Sequence, residues 1–325
     1  MIKLNFLQLN KSKNFTIDNT LCMSALVANE TFEALCLAYK NRFNHSKLKT
    51  FAFSKEGFLG LFLELNAKIG VSLGESQAVI DGAKLYEQLG FEVVWIGLNP
   101  DGKVNLFELK NKTMDFLFLS SYVMDTFVTT SIKEVKSQTQ AKIISNGSAH
   151  WDALSDMLYF DNYKLTGFNT NGVLLFSDDS FSLLSIGQID TLAAKICFEA
   201  LSTQHFNTAL KTKFEAKLKV QFKEDIYFFV NPNDTLDYAL HFGLKGIKAR
   251  ELIRTLALSE IYITNGEGCS LGLSKPSRIV QAMGYDETTS RNAICFSFVD
   301  ELSDDDVEKV VKMMFIKYKQ IRSFS

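Results

Sequence analysis

An α/β fold, with a large domain built on a mostly parallel sheet and a smaller C-terminal α/β domain, is predicted by three features of the sequence. Short, continuously apolar runs alternate with amphipathic helical segments between about residues 50 and 176, the pattern of strands covered on both faces by helices. At 325 residues the chain is long for one compact core, so two domains are expected. Hydrophobic residues make up 46% of it against three prolines, which is enough apolar surface to drive folding and argues against disorder.

In chain order, residues 1–50 read as an N-terminal segment before the first clear strand, KTFAF. GFLGLFLELNAK follows as a helix, IGVSL as a strand, ESQAVIDGAKLYEQLG as a helix and FEVVWIGL as a strand. LNPDG is a turn by its Pro and Asp-Gly chemistry. VNLFELKN, MDFLFLSS, IKEVKSQTQ and AKIIS continue the alternation. MLYF and GVLLFSDD then read as two strands joined by a loop, DNYKLTGFNTN, that carries Lys164. The large domain is placed at residues 51–195, with a linking helix and the small domain at residues 196–325. The link, IDTLAAKICFEALSTQHFNTALKTKFEAKLKVQF, has apolar residues at three-to-four spacing and reads as one long helical region. In the small domain IYFFV, IYIT and AICFSF are strands, and KARELIRTLAL, KPSRIVQAMG and SDDDVEKVVKMMFIKYKQI are helices. Ser303 with Asp306 three residues on is an N-cap signature for the last of these.

A formal charge of −2 with no basic cluster gives no electrostatic footprint for nucleic acid. No apolar run reaches the length of a membrane span or a signal-peptide core, so the expectation is a cytoplasmic protein without membrane contact. Five scattered cysteines without a C-x-x-C pair, and four histidines far apart, point to neither a disulfide framework nor a metal site.

The stretch ITNGEGCSLGLSKPSRIVQAMGY places Cys269 between glycine-rich runs. On its own it fits a thiol on a flexible loop and equally a small cysteine in a tight turn. Followed by RNAICFSF and ELSDDDVEKVV, it resembles the C-terminal end of the group I cysteine desulfurases, the NifS and IscS type. These belong to class V of the pyridoxal-phosphate aminotransferases. There a G-S-A-C-S loop precedes K-P-S-x-V-L-x-A-M-G, S-I-R-x-S-L and an acidic helix start. GESQAVIDGAKLYEQLGFEVVWIGLNPDGKVNLFELKN and FDNYKLTGFNTNGVLLF are similar to the family's E-H-x-A-V segment and its Schiff-base segment. The likeness spans roughly residues 50 to 320.

The resemblance implies fold type I of the pyridoxal-phosphate enzymes, with pyridoxal 5'-phosphate as cofactor, a homodimer and a sulfur-acceptor or scaffold protein as partner. Lys164 takes the Schiff-base position and Cys269 that of the thiolate which accepts sulfur as a persulfide on a mobile loop. Other positions depart from the family. Asn146 stands for the aspartate beneath the pyridine nitrogen; an amide holds no full charge there. Ser76, after Glu75, replaces the histidine that stacks on the ring, and His150 is the nearest other imidazole in sequence. Cys295 takes the place of the arginine that clamps the substrate carboxylate. Arg291, four residues away, would lie about 13 Å along a strand. In the phosphate cradle Ser54 and Gly57 remain, Glu56 and Lys55 intrude, and Asp161 and Tyr163 replace a serine and a histidine. Gln188 stands for the partner subunit's threonine.

Two functions follow from these positions. One is a pyridoxal-phosphate transferase that mobilises sulfur from cysteine by transaldimination at Lys164, α-proton removal and attack of Cys269 on the substrate sulfur. The other is a catalytically degenerate paralogue that keeps the fold and acts as a binding or scaffold protein with weak or no cofactor binding. A nucleotide-binding reading lacks any G-x-G-x-x-G after a strand.

Overall fold

The structure, a computed structural model, describes residues 1–5, 29–167, 169–267 and 275–323. The chain opens with a short strand, β1 (Ile2–Lys3), and a helix, α1 (Glu30–Phe43), and then alternates. The run is β2 (Lys47–Ala52), α2 (Lys55–Leu65), β3 (Ile69–Ser72), α3 (Gln77–Gln88), β4 (Val93–Ile96), α4 (Leu106–Lys110), β5 (Phe116–Phe118), α5 (Ile132–Lys136), β6 (Lys142–Asn146), β7 (Met157–Asp161), α6 (Asn162–Thr166) and β8 (Asn171–Phe176). Seven of these strands form one sheet in the order β2-β8-β7-β6-β5-β3-β4. β7, β6, β5, β3 and β4 are mutually parallel, while β8 runs antiparallel to both β7 and β2. β2 therefore points the same way as β7, and the C-terminal ends of six strands share one edge.

Alternation along the strands sorts the core into layers. On β7, Met157 and Tyr159 pack with Phe58, Phe62, Val79 and Ile80 beneath α2 and α3, whereas Leu158 and Phe160 pack with Phe43, Ala194 and Cys197 beneath α1 and α7 (Thr191–Thr203). Each such fully buried aromatic contributes about 1.5–3 kcal/mol relative to exposure.

The linking region is two helices rather than one. α7 ends at Gln204, whose ψ of 127° is extended, and α8 (Ala209–Phe222) begins after a short break. The remaining elements are β9 (Ile226–Tyr227), β10 (Ala239–Leu244), α9 (Ala249–Ala257), β11 (Ile261–Tyr262), α10 (Arg278–Ala282), α11 (Glu287–Ser290), β12 (Ala293–Ser297) and α12 (Asp304–Arg322). β10 lies between β12 and β9 in an antiparallel sheet. The sequence pattern did not single it out. β1 adds parallel to β11, so the first residues belong with the C-terminal part of the chain. Its core joins α8, α9 and α12 through Phe214, Leu252, Phe296 and Val310. α12 starts on the expected cap, a full capping box in which Ser303 accepts from the Asp306 N–H. Another apolar cluster, including Val128, Phe229, Val230 and Cys295, joins the two sheets beside the shared strand edge.

Candidate functional site

After β3 the chain builds β4 on one side and then returns to place β5 on the other, which opens a crevice between the β3 and β5 ends. Ligands of open α/β sheets collect at such switch points. Here the loops at residues 73–77 and 120–127 meet Lys164, Glu267 and Arg278.

Lys164 sits on a helix, not in the loop expected from its sequence. Asp161 caps α6, its carboxylate accepting from the N–H groups of Tyr163 (2.9 Å) and Lys164 (3.2 Å). Gly167 closes the helix at φ +82°, a left-handed value that glycine takes at least cost. This single turn aims Lys164 inward, where its side chain is 9% exposed. Nζ pairs with Glu267 Oε1 at 3.1 Å and approaches Met124 Sδ at 3.7 Å. Burial by itself would lower the Lys164 ammonium. The carboxylates of Glu267, Asp161 and Asp125 outweigh it and leave the group raised above its ordinary value.

Glu267 is fixed from three sides. Its Oε2 accepts from the Gln77 N–H in the first turn of α3 (2.7 Å), and its own N–H donates to Asp125 Oδ1 (2.7 Å). Asp125 Oδ2 accepts from Ser277 Oγ (2.8 Å). Burial, reinforced by Glu267, pushes the Asp125 carboxyl up. Arg278 ties the crevice together by donating from Nε to Gln77 Oε1 (3.1 Å), from Nη1 to the Leu73 carbonyl (2.6 Å) and from Nη2 to the Glu75 carbonyl. A cavity of about 290 Å³ opens beside this cluster, lined by Gln77, Asp81, Asp125, Glu267, Lys275 and Arg278 among others.

Asn146 ends β6 fully buried. Its Oδ1 accepts from the Ser148 N–H (2.9 Å), and Ser148 Oγ accepts from the Asp161 N–H (2.7 Å), so Asn146 is linked to the Lys164 turn through Ser148. Asn146 Nδ2 and Ser76 Oγ are buried without a hydrogen-bond partner among the described residues. Glu75 accepts from Ser120 Oγ (2.6 Å) and Tyr159 Oη (2.5 Å), and burial raises its carboxyl.

The other sequence-derived positions lie differently. Ser54 caps α2, accepting from the Gly57 N–H at 3.3 Å, and a Cβ on Gly57 would collide with the Ala52 carbonyl at 1.8 Å. Glu56 and Lys55 are exposed and paired with each other. Gln188 is exposed on a single 3-10 turn. Cys295 is buried on β12, and its Sγ donates to the Asp125 carbonyl (3.1 Å). It therefore borders the cluster with no charge to offer. His150 is exposed and bonded to Ser121, and Arg291 pairs with Glu287. Cys269 lies outside the described residues.

As they stand, these residues do not fit pyridoxal phosphate. The amine that would condense with an aldehyde is held as a cation in a buried ion pair. The Asp161 carboxyl covers the α6 N–H groups, and Glu267, Asp161 and Asp125 place carboxyl groups around the Lys164 amine, where a phosphate dianion nearby would be disfavoured. Among the described residues, the orphaned Asn146 Nδ2, Ser76 Oγ, Thr126 Oγ1 and Asn162 Oδ1 are the polar atoms here that invite a partner.

Glu267, Asp125 and Arg278 were not picked out from sequence. A signal for Glu267 exists: G-E-G-C puts a glutamate where the family's G-S-A-C has serine.

No family model matches the chain. Among curated proteins, the cysteine desulfurase IscS of Pasteurella multocida is 21% identical over 286 residues, covering 77% of this chain and 70% of the relative. IscS of Rickettsia bellii is 21% identical over 289 residues, covering 78% and 70%. Among solved structures, a NifS-like protein superposes with a TM-score of 0.75 at 14% identity over 98% of this chain and 99% of its own. The NifS-like protein of Rickettsia africae gives 0.71 at 15% over 98% and 99%. The structural likeness speaks for the fold, and the fold together with the relatives makes this a cysteine desulfurase-like protein. Within that likeness the chain is a divergent one, similar to the NifS/IscS-like proteins at 21% identity or below. No helix among the described residues is long and apolar enough to cross a membrane.

Proposed function

We propose that this cysteine desulfurase-like chain is catalytically degenerate, serving as a cytoplasmic binding or scaffold protein and homodimer that does not hold pyridoxal phosphate at Lys164. The Lys164–Glu267 pair carries this reading. With both side chains about one-tenth exposed or less, the pair keeps Lys164 charged, and a charged ammonium is no nucleophile. Asn146 and Cys295 point the same way, each having replaced a charged group of the family. Absorbance of the purified chain after addition of pyridoxal phosphate tests it. The expected spectrum is that of free cofactor, removed entirely by desalting. A retained violet-region band that borohydride discharges would overturn the reading.

An active desulfurase is the second reading. It is favoured by Lys164, which follows β7 at the strand edge, and by Cys269, which keeps its register in sequence. Sulfide release from cysteine that disappears in Cys269→Ser would establish it, and no release from the wild type would remove it. A sulfur-acceptor partner belongs to this reading alone.

A further inference from the structure

Glu267 brings a negative charge to a place where two donors of different origin converge. One is the buried Lys164 ammonium at 3.1 Å, and the other is the Gln77 N–H at 2.7 Å, at the N-terminal end of the twelve-residue helix α3. The glutamate is itself buried, at 7% exposure. Its approach depends on Gly266, which holds φ +117° against Asp125; a Cβ there would lie 2.4 Å from the Asp125 carboxyl carbon. Asp125 adopts φ +61°, a left-handed conformation uncommon outside glycine, to receive the Glu267 N–H. Two unusual backbone conformations thus face each other where this one side chain is delivered.

Burying a lysine ammonium carries a large desolvation cost, which an anion at this point offsets. The chain supplies it from within.

We propose that Glu267 is a built-in occupant of an anion subsite made by Lys164 Nζ and the Gln77 N–H, and that its carboxylate keeps the subsite closed to small monocarboxylates. A monocarboxylate is the ligand class because the two donors are satisfied by the two oxygens of one carboxylate. The flanking Asp125 and Asp161 disfavour a dianion such as phosphate. The proposal rests on the non-catalytic reading of Lys164, since it needs Lys164 to remain a cation.

Thermal unfolding of the full chain in sodium acetate, against sodium chloride at matched ionic strength, tests it. In Glu267→Ala acetate fills the vacated subsite. At an acetate concentration about tenfold above its dissociation constant, folding is favoured by a factor of roughly 11, which raises the melting temperature. If the alanine variant is unfolded in chloride, recovery of its far-ultraviolet circular dichroism in acetate is the same result. Wild type and Glu267→Gln, whose subsites stay filled, do not respond, and Glu267→Ala combined with Lys164→Met loses the response. The proposal is overturned if acetate neither stabilises nor restores Glu267→Ala, if wild type or Glu267→Gln responds equally, or if the double variant still responds. Pyridoxal phosphate with borohydride, read as a mass tag on Lys164 of the wild type, separates the two ideas. A wild-type tag would sink the non-catalytic reading, whereas its absence together with a silent alanine variant would sink only the subsite.

Discussion

Two lysines in this molecule expose nearly the same small fraction of their surface, and they meet opposite surroundings. Lys164, 9% exposed at the strand edge, faces Glu267 with Asp161 and Asp125 behind it. Lys211, 8% exposed on α8, donates to two neutral carbonyls, those of Thr235 (3.0 Å) and Leu236 (3.1 Å). Burial pushes Lys211 down, and Asp237 and Glu215 do not reverse it. At Lys164 the carboxylates do reverse it. Amine chemistry needs an environment of the Lys211 kind, yet the family register points to Lys164. A lysine's backbone position and its usable chemistry are thus set by different residues.

Removing the counter-charge from only one of the two lysines gives the largest expected effect. Glu267→Ala leaves Lys164 buried and unpaired, and should cost about 3–5 kcal/mol in urea unfolding. Adding Lys164→Met should restore most of it, because an apolar side chain needs no partner there. A double variant no more stable than Glu267→Ala would show that the pair is not the unit described.

His241 is another buried base, and burial is what acts on it. Both ring nitrogens lack a hydrogen-bond partner among the described residues, and burial takes its pKa down to about 3 from 6.5. A histidine held below its unfolded value makes the fold weaker as pH falls from 6.5 toward 3. At pH 5 the penalty is roughly 2 kcal/mol. Chemical denaturation at pH 7 and pH 5 should show a smaller acid loss in His241→Leu than in wild type. Equal losses would mean that the imidazole finds a proton acceptor.

Lys211→Met uncovers the Thr235 and Leu236 carbonyls and should cost about 1–3 kcal/mol, since two buried acceptors lose their donor. The loss should be the same with or without Glu267, because the two sites share no hydrogen-bond partner. Non-additive losses would couple regions that the structure keeps apart.

Much of the fold was legible because it is written in local patterns. The Ser303–Asp306 cap and the strand–helix alternation of residues 50–176 are periodicities and neighbours three or four residues apart. β10 escaped because ALHFGL interrupts its apolar run with His241 and Gly243. The break after Gln204 escaped because apolar spacing continues through it. At the site, Lys164 was readable from the motif around it. Its partner was not, since the contact joins residues 103 positions apart, and the Glu267–Asp125 bond spans 142. Glu267 differs from the family by one side chain whose reach no spacing rule contains, and Asp125 lies in a loop with no motif.

The smallest effect is the most direct measure of the two lysines, and it lies on the alkaline side. Lys164 is raised in the folded state, so its ionisation favours the fold while the unfolded amine is still protonated. That contribution declines as pH climbs past the ordinary value of 10.5 and is gone above the folded pKa. Lys211 is lowered, so it opposes the fold at neutral pH, and the penalty lifts as pH rises from its folded pKa to 10.5. The stability difference between wild type and Lys164→Met should therefore shrink between pH 9 and 11, and that between wild type and Lys211→Met should grow. Denaturant midpoints across this range, with methionine variants as the non-titrating references, read both slopes. Two slopes of the same sign would mean that Lys164 lives in a Lys211-like environment after all, with its amine free for chemistry and Glu267 too weak a partner to hold the charge.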